Sequence, residues 1–294
     1  MNNDRSPSQH TFLETKEYRR FAEFCDACQK HRYIGLCHGS PGVGKTLSAW
    51  QYAKWHLIQP YFPERFYLTY RLAFIENMIA KTMASNLVPL PPEIGESRSI
   101  LYTPVVTNTP KQVGLEIQAV RMALSYVVDT VQNGLPQKAE ELAPRRNVPD
   151  MTKLIIIDEA DRLKMATLEE IRDIYDHAAI GIVLIGMPGL EKRLSRYPQL
   201  YSRVGFVHEF RSLNAEESRL FLEQQWKHWG LALNPESAAE AEAIAAIIRI
   251  TNGNFRLLHR LLAQIERIAD INALRTVSKE VVEIARQQLV IGSS

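Results

Sequence analysis

Gly39-Ser40-Pro41-Gly42-Val43-Gly44-Lys45-Thr46 is the stretch on which the fold is read. It satisfies G-x-x-x-x-G-K-[ST] at every defined position, the pattern of a phosphate-binding loop. Chemistry explains the spacing. A triphosphate crowds negative charge, and a chain can match it by aiming several backbone N–H groups at it. Glycines let the backbone wrap that closely, because they carry no Cβ and tolerate positive φ. In such a loop Lys45 reaches the β- and γ-phosphates, and the Thr46 hydroxyl ligates Mg²⁺. A helix opening at Lys45 adds its positive end. Tyr33-Ile34-Gly35-Leu36-Cys37, just upstream, is a short apolar run that reads as the strand feeding the loop.

Composition bounds the rest. The chain has 294 residues, 46% apolar and 23% charged, enough for one large core or two modest ones. The formal net charge is +2. Contact with a polyanion must therefore come from local placement of charge. No apolar run approaches the roughly 18 residues of a membrane span. The polar start, Met1-Asn2-Asn3-Asp4-Arg5, has no apolar segment behind it, so no signal peptide is read and a cytosolic protein is expected. Cys25, Cys28 and Cys37 are too few, and odd in number, for a disulfide framework. The C-x-x-C spacing of Cys25 and Cys28, with His31, Cys37 and His38 nearby, raises a zinc site. The same two cysteines recur with Tyr18, Phe21 and Phe24 at helical spacing, which reads as a buried helix face.

Residues Met1 to His10 are polar and expected to be flexible. Thr15 to His31 reads as an amphipathic helix, with Phe12, Leu13 and Tyr18 as candidates to lie over an adenine. The helix after the phosphate loop is expected to run to about Ile58. Arg71 to Leu87 has helical periodicity. Ile100 to Val106 reads as a second strand, followed by the polar turn Thr107-Asn108-Thr109-Pro110-Lys111 and a helix to about Gln132. Gly134 to Pro149 reads as a loop.

Leu154-Ile155-Ile156-Ile157-Asp158-Glu159 comes next. A continuous β-branched run signals a strand buried on both faces, as in a parallel sheet. Two carboxylates at its carboxyl end sit where ligands bind in open α/β sheets. Asp158 suits holding Mg²⁺, and Glu159 suits activating the attacking water as a general base. Thr167 to Ala178 reads as a helix and Ile180 to Ile185 as another buried strand. A short basic helix with Lys192, Arg193 and Arg196 follows, then a strand over Val204 to Phe210. From Ala215 onward the pattern is helical throughout. Strands alternating with helices, then helices alone, predict a parallel-sheet α/β nucleotide-binding core over 1–211 and a small helical lid over 212–294.

These residues resemble an AAA+ ATPase. Leu154 to Leu163 (LIIIDEADRL), Ile182 to Leu190 (IVLIGMPGL) with the following Arg193 to Arg203, and Thr251 to Leu262 (TNGNFRLLHRLL) are similar to the TniB/TnsC/MuB group, which regulates DNA transposition. The resemblance implies ATP-dependent assembly into rings or helical filaments on double-stranded DNA, with nucleotide between neighbouring subunits. It also implies recruitment of a transposase and, in some systems, of a target-selecting partner. Carried over, Asp158 and Glu159 match the metal and catalytic acids, Arg203 matches an arginine finger offered in trans, and Arg256 matches a lid arginine that senses nucleotide. One departure stands out: the position after the fourth strand, usually polar, falls at Gly186-Met187. Hydrolysis is expected to be slow, or another residue takes this work.

Lys111 falls where this family places contacts to the DNA backbone, flanked by Thr107, Asn108, Thr109 and Gln112. Identical weak contacts repeated along one DNA multiply by avidity. Two other classes fit the nucleotide motifs: a helicase-loader-like ATPase, and a nucleotide switch with protein partners only. All three need the loop. Lys45→Ala should therefore abolish ATP binding, measured with a fluorescent ATP analogue, because the phosphates lose their main side-chain counter-charge.

Overall fold

A computed structural model describes residues 12–62, 90–134, 148–228, 237–274 and 276–289. The expectations for residues 1–10, for a helix over 71–87 and for most of the 134–149 connection lie outside them. Two compact units are present: one is built from the described residues within 21–41 and 45–210, the other from those within 1–20 and 211–294 together with Gly42–Gly44. Among the described residues, no helix is long and apolar enough to cross a membrane.

The first unit is a five-stranded parallel sheet: β1 (Ile34–His38), β2 (Ser99–Tyr102), β3 (Leu154–Ile157), β4 (Gly181–Gly186) and β5 (Val204–Glu209), in the order β2-β3-β4-β1-β5. β3 and β4 are buried along their whole length, as their unbroken apolar runs predict. β5 is an edge strand, and its residues alternate between half-buried and exposed. After β1 the chain moves to the far edge at β2, returns through β3 and β4, and passes β1 to reach β5. The carboxyl end of β1 therefore opens where the strand order reverses, which is where open α/β sheets bind ligands.

Close helix–sheet packing explains two glycines. Helix α1 (Lys16–His31) carries Phe21, Phe24, Cys25 and Cys28, all buried. A Cβ at Gly35 of β1 would meet Cys28 Sγ and lie 2.6 Å from Phe24 Cζ. One at Gly181 of β4 would lie 2.5 Å from the Cys28 carbonyl oxygen. Cys25, Cys28 and Cys37 are free thiols in this core. Burial pushes the Cys28 thiol up to about 12 and raises Cys25 well above its ordinary value. No metal-ligating group of His, Cys, Asp and Glu occurs among the described residues.

Two elements depart from the expected boundaries. Helix α2 (Lys45–Tyr52) closes early, and the chain restarts as the single turn α3 (Trp55–Ile58). Lys54 between them is left-handed, with φ 51°. The break re-phases the chain so that Ala53, Trp55 and Ile58 are all buried; an unbroken helix would carry Trp55 about 200° around from Ala53. The second strand ends at Tyr102 and does not reach Val106. Pro104 has no N–H for a ladder, and Val105 and Val106 beyond it are exposed. Helix α4 (Pro110–Asn133) then starts with Thr109 as N-cap and Pro110 in its first turn. Further along, α5 (Met165–His177), α6 (Leu190–Leu194) and α7 (Pro198–Tyr201) connect β3, β4 and β5.

The helical unit holds α8 (Ala215–His228), α9 (Ala238–Thr251), α10 (Phe255–Ile271) and α11 (Lys279–Gln287). Its core includes Leu222, Trp226, Ile247, Leu258, Leu261 and Ile265, and Leu13 packs against it. A capping box opens α8. The Asn214 side chain accepts from Glu217 N–H at 2.8 Å, and the Glu217 carboxylate accepts from Asn214 N–H at 3.0 Å. Asn254 caps α10, accepting from Leu257 N–H at 3.1 Å.

The tight seat of α1 against β4 makes a stability test. Gly181→Ala forces a methyl onto the Cys28 backbone, which cannot rotate aside. We expect a loss of about 1–3 kcal/mol, typical of overpacking, read as a lower thermal midpoint by circular dichroism.

Candidate nucleotide-binding site

The loop after β1 has the backbone its sequence requires. Gly42 and Gly44 have φ of 82° and 112°, which L-residues avoid. A Cβ at Gly39 would collide with the Phe210 carbonyl, because Phe210 follows β5 and donates its N–H to the His38 carbonyl at 2.7 Å. Lys45 Nζ donates to the Gly39 and Ser40 carbonyls at 2.5 and 2.9 Å, so the ammonium is folded over its own loop.

The Thr46 hydroxyl donates to Asp158 Oδ2 at 2.6 Å. Asp158 is 5% exposed, and its other oxygen accepts from Glu159 N–H at 2.9 Å. The ends of β1 and β3 are thereby joined by a hydroxyl and a buried carboxylate. These are hard oxygen donors, and they fit Mg²⁺. Lys45, Thr46, Asp158 and Glu159 thus gather at the carboxyl ends of two strands separated by β4 alone.

Glu159 turns the chain through the left-handed region, φ 51° and ψ 41°, into a short 3₁₀ turn, Ala160–Arg162. Its carboxylate pairs with the Arg162 guanidinium. Asp161, on the same turn, bears on the Gly186 position. A Cβ at Gly186 would lie 2.6 Å from Asp161 Oδ2, and that oxygen accepts from Met187 N–H at 2.7 Å. A carboxylate from the β3 turn thus fills the space of the side chain missing after β4. Sequence reading passed over Asp161 and Arg162; the spacing D-E-x-D-R within one turn was the available signal.

Arg203 lies at the other end of the sheet. It precedes β5, and its carbonyl accepts from Ile34 N–H, at the start of β1, at 3.0 Å. Five residues of β1 span about 16 Å, so Arg203 cannot reach the phosphate loop of its own subunit. Its guanidinium grips Asp176 through two hydrogen bonds, Nε to Oδ1 at 3.0 Å and Nη2 to Oδ2 at 2.9 Å. Nη1 donates to the Gln199 carbonyl at 2.6 Å. Bonding to Arg203 holds the Asp176 carboxyl below its ordinary value.

Arg256 is exposed in the first turn of α10, and its backbone N–H donates at 2.9 Å to the carbonyl of Gly42, which groups with the helical unit. Phe12 and Tyr18 meet edge-on, centroids 4.7 Å apart. Lys111 is exposed at the start of α4. Thr109 accepts from Gln112 N–H at 3.3 Å as a helix cap, and the Gln112 amide donates to Glu116 at 2.9 Å. Two of the three DNA candidates therefore serve the helix itself.

The AAA domain family matches residues 28–194, more than half of the chain. The chain belongs to that family. Its five-stranded parallel sheet and phosphate loop are the AAA+ P-loop fold. A potential ATP-binding protein of Staphylococcus aureus is 45% identical over 284 residues, 96% of this chain and 97% of the relative. The Mu-like prophage FluMu DNA transposition protein B of Haemophilus influenzae is 24% identical over 259 residues, 86% of this chain and 71% of the relative. Among solved structures, the ORC2 protein of Aeropyrum pernix superposes with a TM-score of 0.55 at 15% identity, over 96% of this chain and 70% of its own. The Thermotoga maritima RuvB Holliday junction branch migration motor gives 0.52 at 14%, over 94% and 70%. At such identities these structures speak for the fold alone.

In this AAA domain Glu159 directly follows the buried Asp158, and its carboxylate is about half exposed. Glu159→Gln should bind a fluorescent ATP analogue like the parent and lose turnover by about 10²- to 10⁴-fold, the usual contribution of general base catalysis. Parental turnover in this variant would remove Glu159 from the role.

Proposed function

We propose that this AAA+ protein is a Mg²⁺-dependent ATPase that assembles on duplex DNA and regulates transposition by recruiting or activating a transposase at the target site. The observation that carries the assembly is the separation of Arg203 from the Thr46–Asp158 pair. At the amino end of the sheet Arg203 is out of reach of its own phosphate loop, which supports a role toward a neighbour's nucleotide. ATP as the ligand is supported by the family and by the S. aureus relative. DNA and transposition are supported by similarity to transposition protein B along 86% of the chain. A target-selecting protein is a further partner consistent with this reading.

In the mechanism, the loop from Gly39 to Thr46 grips the triphosphate, and Lys45 leaves the Gly39 and Ser40 carbonyls to meet it. Thr46 and Asp158 would hold Mg²⁺, which would supply charge neutralisation to the triphosphate. Glu159 takes the proton of the attacking water. Arg203 leaves Asp176 and stabilises charge on the neighbour's γ-phosphate, while Arg256 responds to nucleotide in its own subunit. Gly186-Met187 supplies no polar side chain, so either turnover is slow or the Asp161 carboxylate beside Gly186 takes this work.

With a net charge of +2, one subunit should hold duplex weakly and without sequence preference. ATP should tighten binding by building an assembly that repeats Lys111 along the backbone, with Thr109 and Gln112 beside it. Each phosphate neutralised adds about −0.9 to the log–log salt slope. Lys111→Ala should weaken binding to all sequences and flatten that slope in anisotropy titrations, with ATP binding intact. Absence of ATP-stimulated duplex binding at low salt would overturn the DNA reading and favour a switch with protein partners only.

A further inference from the structure

His38 is the last residue of β1, and Gly39 of the phosphate loop follows it directly. The other four residues of β1 are buried, whereas His38 is half-buried, so its ring stands at the rim of the core. The imidazole Nδ1 is nevertheless closed off and has no hydrogen-bond partner among the described residues. A buried polar atom left unpaired costs free energy and calls for a reason.

Strand register decides what stands beside this ring. His38 is in register with Gly186 of β4 on one side and with Glu209 of β5, which is exposed, on the other. Neighbouring strands lie about 4.8 Å apart, and side chains alternate between the two faces, so parallel residues in register share a face. On the β4 side the neighbour is a glycine, and the Asp161 carboxylate stands where its side chain would be, with Oδ2 2.6 Å from a Cβ built there. Imidazole and carboxylate therefore share one face at the carboxyl end of the sheet, one strand spacing apart. Asp161 is fixed in that place. Its Oδ2 accepts from Met187 N–H at 2.7 Å, and the Arg193 guanidinium donates to the Asp161 carbonyl at 2.9 Å and to the Leu163 carbonyl. Asp161 Oδ1 takes no bond among the described residues. An unused acceptor and an unused ring nitrogen thus face the same small space.

That space adjoins the end of β4, between β1, which feeds the phosphate loop, and β3, which leads to Asp158 and Glu159. It is where Gly186-Met187 offers no polar side chain. A bare carboxylate fits the place poorly, because beside a triphosphate it adds charge of the same sign. An imidazole between them removes the conflict. A carboxylate that accepts from one ring nitrogen fixes the tautomer and orientation of the ring, and the other nitrogen is then free to donate.

We infer that His38 is a catalytic residue whose Nε2–H meets the γ-phosphate, and that Asp161 is the positioning residue that orients the ring by accepting from Nδ1–H. This deepens, and rests on, the reading of the site as that of an ATPase. The imidazole turns about its side-chain torsions to place Nδ1 against Asp161 Oδ1, and Nε2 supplies a donor aimed at charge that develops in the transition state.

The test compares the parent with His38→Leu, His38→Gln, Asp161→Asn and the double variant of His38→Leu with Asp161→Asn. Leucine fills the volume of the ring without a donor, and glutamine keeps one N–H at similar reach. His38→Leu should lower kcat about 10²-fold, the usual loss when one such donor is removed. Its affinity for a fluorescent ADP analogue should stay within about twofold of the parent, because ADP has no γ-phosphate. His38→Gln should recover part of kcat. Asp161→Asn keeps an acceptor for Met187 N–H and should lower kcat about tenfold, and the double variant should be no slower than His38→Leu, since Asp161 acts only through the ring. Independently of turnover, the imidazole ¹⁵N signals that vanish in His38→Gln should move in the parent when ATPγS and Mg²⁺ are added, and not when ADP and Mg²⁺ are added. Parental kcat in His38→Leu overturns the catalytic role. Losses that multiply in the double variant overturn the pairing with Asp161. His38 signals that respond alike to ADP and ATPγS overturn the contact with the γ-phosphate. A parent that binds ATPγS but hydrolyses no ATP removes the ATPase reading instead, and the ¹⁵N comparison still decides whether His38 meets the γ-phosphate.

Discussion

The hydrogen bond from the Thr46 hydroxyl to the buried Asp158 carboxylate ties together two segments 112 residues apart. It requires β1 and β3 to end at the same level with one strand between them. That in turn requires β4 to insert between them and β2 to be sent to the edge. Parallel strands need long crossovers, and the helices supplying those crossovers bury both faces of the sheet. The apolar runs at 34–37, 154–157 and 180–185 are thus consequences of the same requirement that brings a hydroxyl and a carboxylate together.

Much of this was legible in the sequence because it is local. The glycine spacing announces the phosphate loop, and the β-branched run before Asp158 announces a doubly buried strand. Other features were not legible, for physical reasons. The break at Lys54 depends on which of Ala53, Trp55 and Ile58 must face the core, which tertiary packing decides. The early end of β2 follows from Pro104, whose effect was masked by the apolar Val105 and Val106. Those two valines read as strand by propensity, yet they stand in solvent.

The candidate site divides in the same way. Lys45, Thr46, Asp158 and Glu159 are named by motif, and their meeting follows once the strands are ordered. Asp161, Arg162 and Asn108 have no motif of their own, since their roles depend on what lies across a gap: Met187 N–H, the Pro104 carbonyl, the Thr167 hydroxyl. Nor could sequence show that Arg203 is already engaged by Asp176. In the proposed role, an arginine so held would have to give up Asp176 before it could serve a neighbour's nucleotide.

The left-handed backbone at Glu159 has a consequence for anyone who would engineer this protein. Glycine is the residue that conformation favours, so a search for stabilising substitutions guided by backbone geometry alone would choose it there. Such a redesign would relieve the strain and delete the carboxylate in one step. If Glu159 is the base proposed above, robustness and work point in opposite directions at residue 159, and the chain carries the less comfortable residue.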